Sequence, residues 1–338
     1  MTTIDPQTPA ATLQDDAARF QDCVRQLKTE IGRVFIGQPE VVDQLLLCLF
    51  CQGHALLEGA PGLGKTLLVK TLADRLHLRF SRVQCTPDLM PADIIGTNVL
   101  MEDGAGRAFR FQPGPLFAHV VLADEINRAT PKTQSAFLEA MQEYRVTVFG
   151  VAHELEQPFL VLATQNPIEM EGTYPLPEAQ LDRFFFKIYI RVPTLDELAR
   201  IMAITTSAAE PAARTPYGAE DIRRMAALVR QVKIADEITR VALSIMLATH
   251  PESDEATPRV RQFVRYGASP RAAQAMILAG KARALAEGRF NVAVDDLRYA
   301  ALHALGHRVI LNFQGEVQKV PVSEIVGEVV QAVAGRLA

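Results

Sequence analysis

Several short runs of this 338-residue chain combine side chains suited to phosphate chemistry. Gly59-Ala-Pro61-Gly62-Leu-Gly64-Lys65-Thr66 fits the pattern G-x-x-x-x-G-K-[ST]. Glycines let the backbone curl so that successive N–H groups face phosphate oxygens, and a helix starting directly afterwards adds the positive end of its dipole. Lys65 can reach β- and γ-phosphates as a point charge, and the Thr66 hydroxyl can ligate Mg²⁺. The expected nucleotide contacts are therefore Gly59, Pro61, Gly62, Gly64, Lys65, Thr66 and Leu67.

Val120-Val-Leu-Ala-Asp124-Glu125 is an apolar strand pattern ending in two carboxylates. Alone it is a weak signal, since many strands end in an acid. Downstream of a phosphate loop, the pair acquires distinct roles. Asp124 suits Mg²⁺, a hard cation that takes oxygen ligands, held here through its water shell. Glu125 suits the orientation of an attacking water, because phosphoryl transfer depends on positioning and charge stabilisation. Phe159-Leu-Val-Leu-Ala-Thr-Gln-Asn166-Pro167 is a further apolar strand, ending in an amide. Asn166 is placed to hydrogen-bond that water or the γ-phosphate, although Asn before Pro is also a common turn.

The elements that position these groups follow from periodicity. Phe20, Val24, Leu27 and Ile31 recur at helical spacing; a break at Ile36-Gly37-Gln38-Pro39 precedes a second helix over 40–51. Strands are expected at 54–58, 79–85, 120–124 and 159–164, with helices between them, notably 67–76 and 132–143. Alternation of strands and helices implies a mostly parallel sheet covered on both faces. Two hairpin patterns, near 98–111 and 145–155, read as additions to that sheet, with Phe149 at the tip of the second. A helix from Leu195 leads to a Pro/Ala-rich linker, 208–216, and beyond it every candidate segment is helical. Ser269-Pro270 reads as the start of one such helix, with Ser as N-cap and Pro at the first helical position.

Taken together, Gly59–Thr66, Asp124-Glu125-Ile-Asn-Arg128, Thr164-Gln-Asn166-Pro167, the string from Gly172 to Asp182-Arg183-Phe184, and Tyr266-Gly-Ala-Ser-Pro-Arg271 resemble the MoxR AAA+ ATPases. The resemblance runs in family order from Gly32 to Phe313. It implies an α/β P-loop NTPase core, a parallel sheet flanked by helices, followed by a small all-α lid. The expected division is a flexible leader (1–16), a core (17–207), the linker (208–216) and the lid (217–338). Arg183 matches the family's arginine finger, which reaches a neighbouring subunit's γ-phosphate, and Arg271 its sensor 2 arginine, which contacts nucleotide within its own chain. A guanidinium suits both, being always charged and able to fork onto phosphate oxygens. Without the resemblance, either would read as a surface or interdomain ion pair. Gly37, in Ile36-Gly37-Gln38, resembles the adenine-side segment, and Arg128 is a weaker candidate for an interface arginine.

The resemblance further implies ATP and Mg²⁺ as cofactors, a homo-oligomeric, hexameric ring and a remodelling or chaperone role. Family members commonly act with proteins bearing a von Willebrand factor A domain, in maturation or metal-cofactor insertion. A net charge of -4 argues against a strong nonspecific grip on nucleic acid, which disfavours the alternative of a nucleic-acid motor. A second alternative, a nucleotide-gated scaffold with little turnover, is disfavoured by the presence of both Glu125 and Arg183. Four cysteines are too few for a disulfide framework, and Cys48 and Cys51 lie in an apolar helical run that suits core packing better than a metal. With no secretory or membrane-spanning pattern, the expected location is cytoplasmic.

Overall fold

The computed structural model describes residues 10–103, 106–166, 172–206 and 214–335. Pro167, most of the expected linker, the tip of the first hairpin at 104–105 and the last three residues lie outside the described residues. The chain opens with α1 (Ala10–Gly32) and α2 (Pro39–Phe50). The helix thus begins inside the segment expected to be a flexible leader. From Ala10 onward that sequence holds alanines and straight-chain residues with no breaker, a composition that favours helix.

The core continues with β1 (Ala55–Glu58), α3 (Lys65–Arg75), β2 (Phe80–Gln84) and α4 (Pro91–Ile95). The hairpin β3 (Gly96–Asp103) and β4 (Gly106–Pro113) follows, then β5 (Val120–Asp124) and α5 (Pro131–Glu143). The second hairpin is β6 (Arg145–Val148) and β7 (Val151–Glu154). Next come β8 (Leu160–Gln165), α6 (Glu178–Leu181), β9 (Phe186–Tyr189) and α7 (Leu195–Thr205). Five strands form one parallel sheet in the order β2-β5-β8-β1-β9. β5 is buried at every position, as a strand covered on both faces should be. Leu56, Val121, Ala123, Phe137, Val161 and Phe184 belong to one buried cluster in this sheet layer.

Each hairpin forms its own two-stranded ribbon outside the main sheet. Phe149 and Gly150 close the second with φ of 48° and 81°, the left-handed pair that a two-residue hairpin turn requires. Phe149 is 78% exposed at that tip. The ring of Phe111 on β4 stacks on His153 of β7 at 3.8 Å between centroids, which ties the two ribbons together.

The rest of the chain comprises α8 (Ala219–Gln231), α9 (Asp236–Leu247), α10 (Pro258–Phe263), β10 (Val264–Tyr266) and α11 (Pro270–Ala286), then α12 (Val294–Leu305), β11 (Ile310–Leu311), α13 (Phe313–Val317) and α14 (Val322–Ala334). Ser269 caps α11 and Pro270 opens it, as the sequence implies. The short antiparallel pair β10–β11 is a detail that helical periodicity did not reveal. Among the described residues, those within 10–29, 46–51 and 220–335 form one compact unit and those within 30–45 and 52–219 another. In the first, α11 packs on α9 and α12 through buried alanines, among them Ala272, Ala275 and Ala279. All four cysteines are buried and free, Cys48 and Cys51 included, and burial pushes the Cys48 thiol up. Among the described residues no helix is long and apolar enough to cross a membrane.

Candidate nucleotide-binding and hydrolysis site

The strand order gathers three of the sequence motifs. From β1 the chain crosses to the far edge at β2, steps back through β5 to β8 beside β1, and then passes to β9 on β1's other side. A reversal of strand order of this kind opens a crevice beyond the carboxyl ends of the strands, where ligands of open α/β sheets bind. Glu58, Asp124 and Gln165 are the last residues of β1, β5 and β8. The loop from Gly59, the Asp124-Glu125 pair and Asn166 therefore emerge at one edge of the sheet.

The loop is shaped by glycine. Gly62 and Gly64 have φ of 80° and 81°, a conformation in which side chains are strained. Gly64 is the N-cap of α3 and offers no side chain to the helix's first N–H groups, which remain directed at the loop. Lys65 Nζ donates to the carbonyls of Gly59 at 2.7 Å and Ala60 at 2.8 Å. Burial lowers its pKa, while Asp124 and Glu125 draw it back up. Thr66 and Leu67 continue the first turn of α3, and Pro61 and Gly62 are exposed at the loop's crest.

At the neighbouring carboxylates, Thr164 on β8 bridges two groups. Its Oγ1 donates to Asp124 Oδ1 at 2.7 Å and accepts the Glu125 N–H at 2.8 Å. Glu125 has φ 56° and ψ 53°, a left-handed backbone that is strained for a side chain of this size and typical of functional turns. Its Oε2 accepts from Arg128 Nη1 at 3.0 Å and from Gln84 Nε2 at 3.3 Å. Arg128, a candidate interface arginine in the sequence, here pairs with Glu125 of its own chain. Arg82 on β2 pairs with Asp124 Oδ2 at 2.6 Å. Sequence reasoning missed Arg82 and Gln84, and gave Thr164 no role beyond its place in a motif. The two β2 residues alternate along one strand, and nothing in their types distinguishes them from an ordinary polar edge.

The oxygen donors fit a small divalent cation. The Thr66 hydroxyl and the Asp124 carboxylate are hard ligands, and Asp124 already holds a positive charge, the Arg82 guanidinium. Asn166 is buried directly after the end of β8.

Gly37 lies on a segment fastened beside the loop. Phe35 packs against Gly64, 3.6 Å from where a Cβ there would stand. Gly37 itself has φ 89°, and a Cβ would meet Glu197 at 2.3 Å. Arg191 grips Glu197 through two bonds of 2.7 Å and donates to the Gly37 carbonyl at 2.7 Å. Gln38 and Arg191 exchange amide bonds of 3.1 and 2.9 Å. The Arg191 hydrogen bond and the Thr194 N–H hold the Glu197 carboxyl down at about 2.

Arg183 is not at this edge. The Phe185 N–H, two residues on, donates to His54 O at 2.7 Å, level with the beginning of β1 rather than its end. β1 spans four residues, or about 13 Å, before the glycine loop begins. Arg183 Nη1 donates to Leu138 O at 3.0 Å and lines an open pocket with Glu139, Gln142 and Glu143. Arg271 is exposed in the first turn of α11, its N–H bonded to Ser269 Oγ at 3.2 Å.

Comparison with known proteins agrees with this architecture. Residues 54–186 match the model of the ATPase family associated with various cellular activities (AAA), and residues 256–329 that of the AAA lid domain. Chaperone MoxR1 of Mycobacterium tuberculosis is 39% identical over 90% of this chain and 80% of its own length. Protein MoxR of Methylorubrum extorquens is 30% identical over 93% of this chain and 94% of its own. A crystal structure of a candidate ATPase from Cytophaga hutchinsonii superposes with a TM-score of 0.89 at 35% identity, covering 95% of this chain and 97% of that one. Such likeness, extending through both the nucleotide-binding core and the lid, carries nucleotide binding and ATPase activity with it, and the chain belongs to the MoxR family of AAA+ ATPases.

Proposed function

We propose that this chain is a Mg²⁺-dependent ATPase whose hydrolytic site is completed by a second copy of itself. Gly59 to Leu67 cradle the phosphates, with Lys65 as their counter-charge. Thr66 and Asp124 hold the metal, which supplies charge neutralisation at the phosphates when bound. Glu125 orients the attacking water, assisted by Asn166, and Arg271 contacts nucleotide from the lid. Arg183 of a neighbouring copy stabilises charge on the γ-phosphate, a contribution that in other NTPases is worth about 10³–10⁵ in rate.

The observation that carries this reading is the separation of Arg183 from the glycine loop, at opposite ends of the strands of one parallel sheet. A guanidinium at the opposite end of the strands serves a nucleotide best when it is that of a neighbouring copy, and repetition of that head-to-tail contact closes a ring. We take the ring to be a hexamer. Specific ATPase activity should rise with protein concentration in step with assembly followed by sedimentation. Equal specific activity in a monomeric sample would overturn the reading.

The work done by turnover is remodelling or maturation of a client protein in the cytoplasm. The name of the mycobacterial relative, Chaperone MoxR1, supports it. The client we expect is a protein with a von Willebrand factor A domain or a metalloenzyme complex, with Phe149 as a contact at the hairpin tip. Pull-down with Glu125→Gln, compared with Lys65→Ala, should enrich that client only in ATP; an ATP-independent or empty eluate would count against it.

A further inference from the structure

One ion pair in the site belongs to no motif. Arg82 lies on β2, the edge strand beside β5, and so reaches Asp124 from the side away from β1 and its glycine loop. Its Nη2 and Nε both bond Asp124 Oδ2, at 2.6 and 3.1 Å. Nη2 also donates to Gln84 Oε1 at 2.8 Å, which steadies the guanidinium. Thr164 occupies the other carboxylate oxygen. Both oxygens of Asp124 are thus engaged, and the one that carries a charged partner faces Arg82.

We propose that Arg82 is the resident counter-cation of Asp124, displaced when Mg²⁺ is loaded, so that it sets the metal concentration at which the site becomes competent. The inference rests on the assignment of Asp124 to the metal. A divalent ion and a guanidinium at one carboxylate repel each other, so part of the metal's binding energy goes into moving Arg82. The geometry permits that movement: the Arg82 side chain is 48% exposed, whereas that of Asp124 is 12% exposed. Arg82 can swing into water without stranding a buried charge, while Asp124 stays fixed by Thr164. Arg82 is therefore a positioning residue acting through Asp124.

The test titrates Mg²⁺ against binding of a fluorescent ADP analogue to the full chain, comparing wild type, Arg82→Gln and Arg82→Lys. A half-exposed ion pair is worth up to about 1 kcal/mol, so Arg82→Gln should lower the Mg²⁺ midpoint about two- to fivefold. Binding of the analogue in EDTA should be unchanged, and Arg82→Lys, which keeps the charge, should restore the wild-type midpoint. An unchanged or raised midpoint in Arg82→Gln, with an unaltered unfolding transition, would overturn the proposal. Failure of the underlying assignment looks different: Asp124→Asn would keep the wild-type Mg²⁺ midpoint, and the proposal would fall with that assignment.

Discussion

The Thr164 hydroxyl donates to Asp124 Oδ1 at 2.7 Å from the strand next door, while the same oxygen accepts the Glu125 N–H. One buried side chain thus fixes the carboxylate assigned to the metal and the strained backbone of the residue assigned to the water. Thr164→Val keeps the shape and removes both bonds. It should lower stability by about 1–3 kcal/mol, the cost of leaving buried polar groups unpaired. Turnover should fall more than nucleotide affinity, and Thr164→Ser should recover much of both. Denaturant unfolding and steady-state ATPase assays read the two effects; a Val variant with wild-type turnover would remove Thr164 from the site.

Lys65 and Glu125 should separate binding from chemistry. Lys65→Ala removes the charge proposed to face the phosphates and should weaken ATP and ADP binding roughly ten- to hundredfold, as loss of charge-assisted hydrogen bonds does. Glu125→Gln should bind ATP normally and lose turnover by about 10² or more, the scale expected for a positioned base. Calorimetric titration and phosphate release measure both. Normal turnover in Glu125→Gln would refute its assignment.

Gly37 should resist even a methyl group. Its φ of 89° and the 2.3 Å approach to Glu197 leave no room for a Cβ, so Gly37→Ala should cost about 1 kcal/mol or more and weaken nucleotide binding through displacement of the Arg191–Glu197 clamp. Thermal unfolding with and without ADP checks it; equal shifts by ligand in both proteins would place Gly37 outside the nucleotide site.

A pH dependence follows from His54. Its Nε2–H donates to Met141 O at 3.0 Å and its Nδ1 accepts the Val161 N–H at 3.0 Å, so the ring is held neutral. Protonation would set two N–H donors against each other in a buried site, and burial brings the pKa down from 6.5 to about 4. In the unfolded chain His54 takes up a proton near pH 6.5; in the folded protein it does so only near pH 4. The stability it contributes is therefore present above pH 6.5 and lost as the pH falls towards 4, by on the order of 3 kcal/mol. His54→Gln should flatten that part of the stability curve while lowering its plateau; an unchanged slope would contradict the account.

Much of the candidate site is legible because its proposed chemistry is local in sequence. Gly59 to Thr66 declares itself by spacing, and Asp124-Glu125 by its place after an apolar strand. What escaped was set by neighbours across the sheet. Thr164 matters because β8 lies beside β5, and Arg82 and Gln84 because β2 does, which no reading along the chain reveals. β9 was missed because Phe186-Lys187-Ile188-Tyr189 is only four residues long and carries a lysine that is paired with Glu58 of β1. The Arg191–Glu197 clamp on Gly37 joins residues 154 positions apart.

The most direct test of the proposed shared catalysis mixes two variants expected to be inactive. Arg183→Ala keeps its own Glu125, and Glu125→Gln keeps its own Arg183. In rings mixed from equal amounts, about a quarter of the interfaces join an intact Glu125 to a neighbour's intact Arg183, so ATPase activity should return to roughly that share of the wild-type rate, while each variant alone should be inactive. Full activity of Arg183→Ala by itself, or no recovery in mixtures shown to co-assemble, would contradict a site built from two copies.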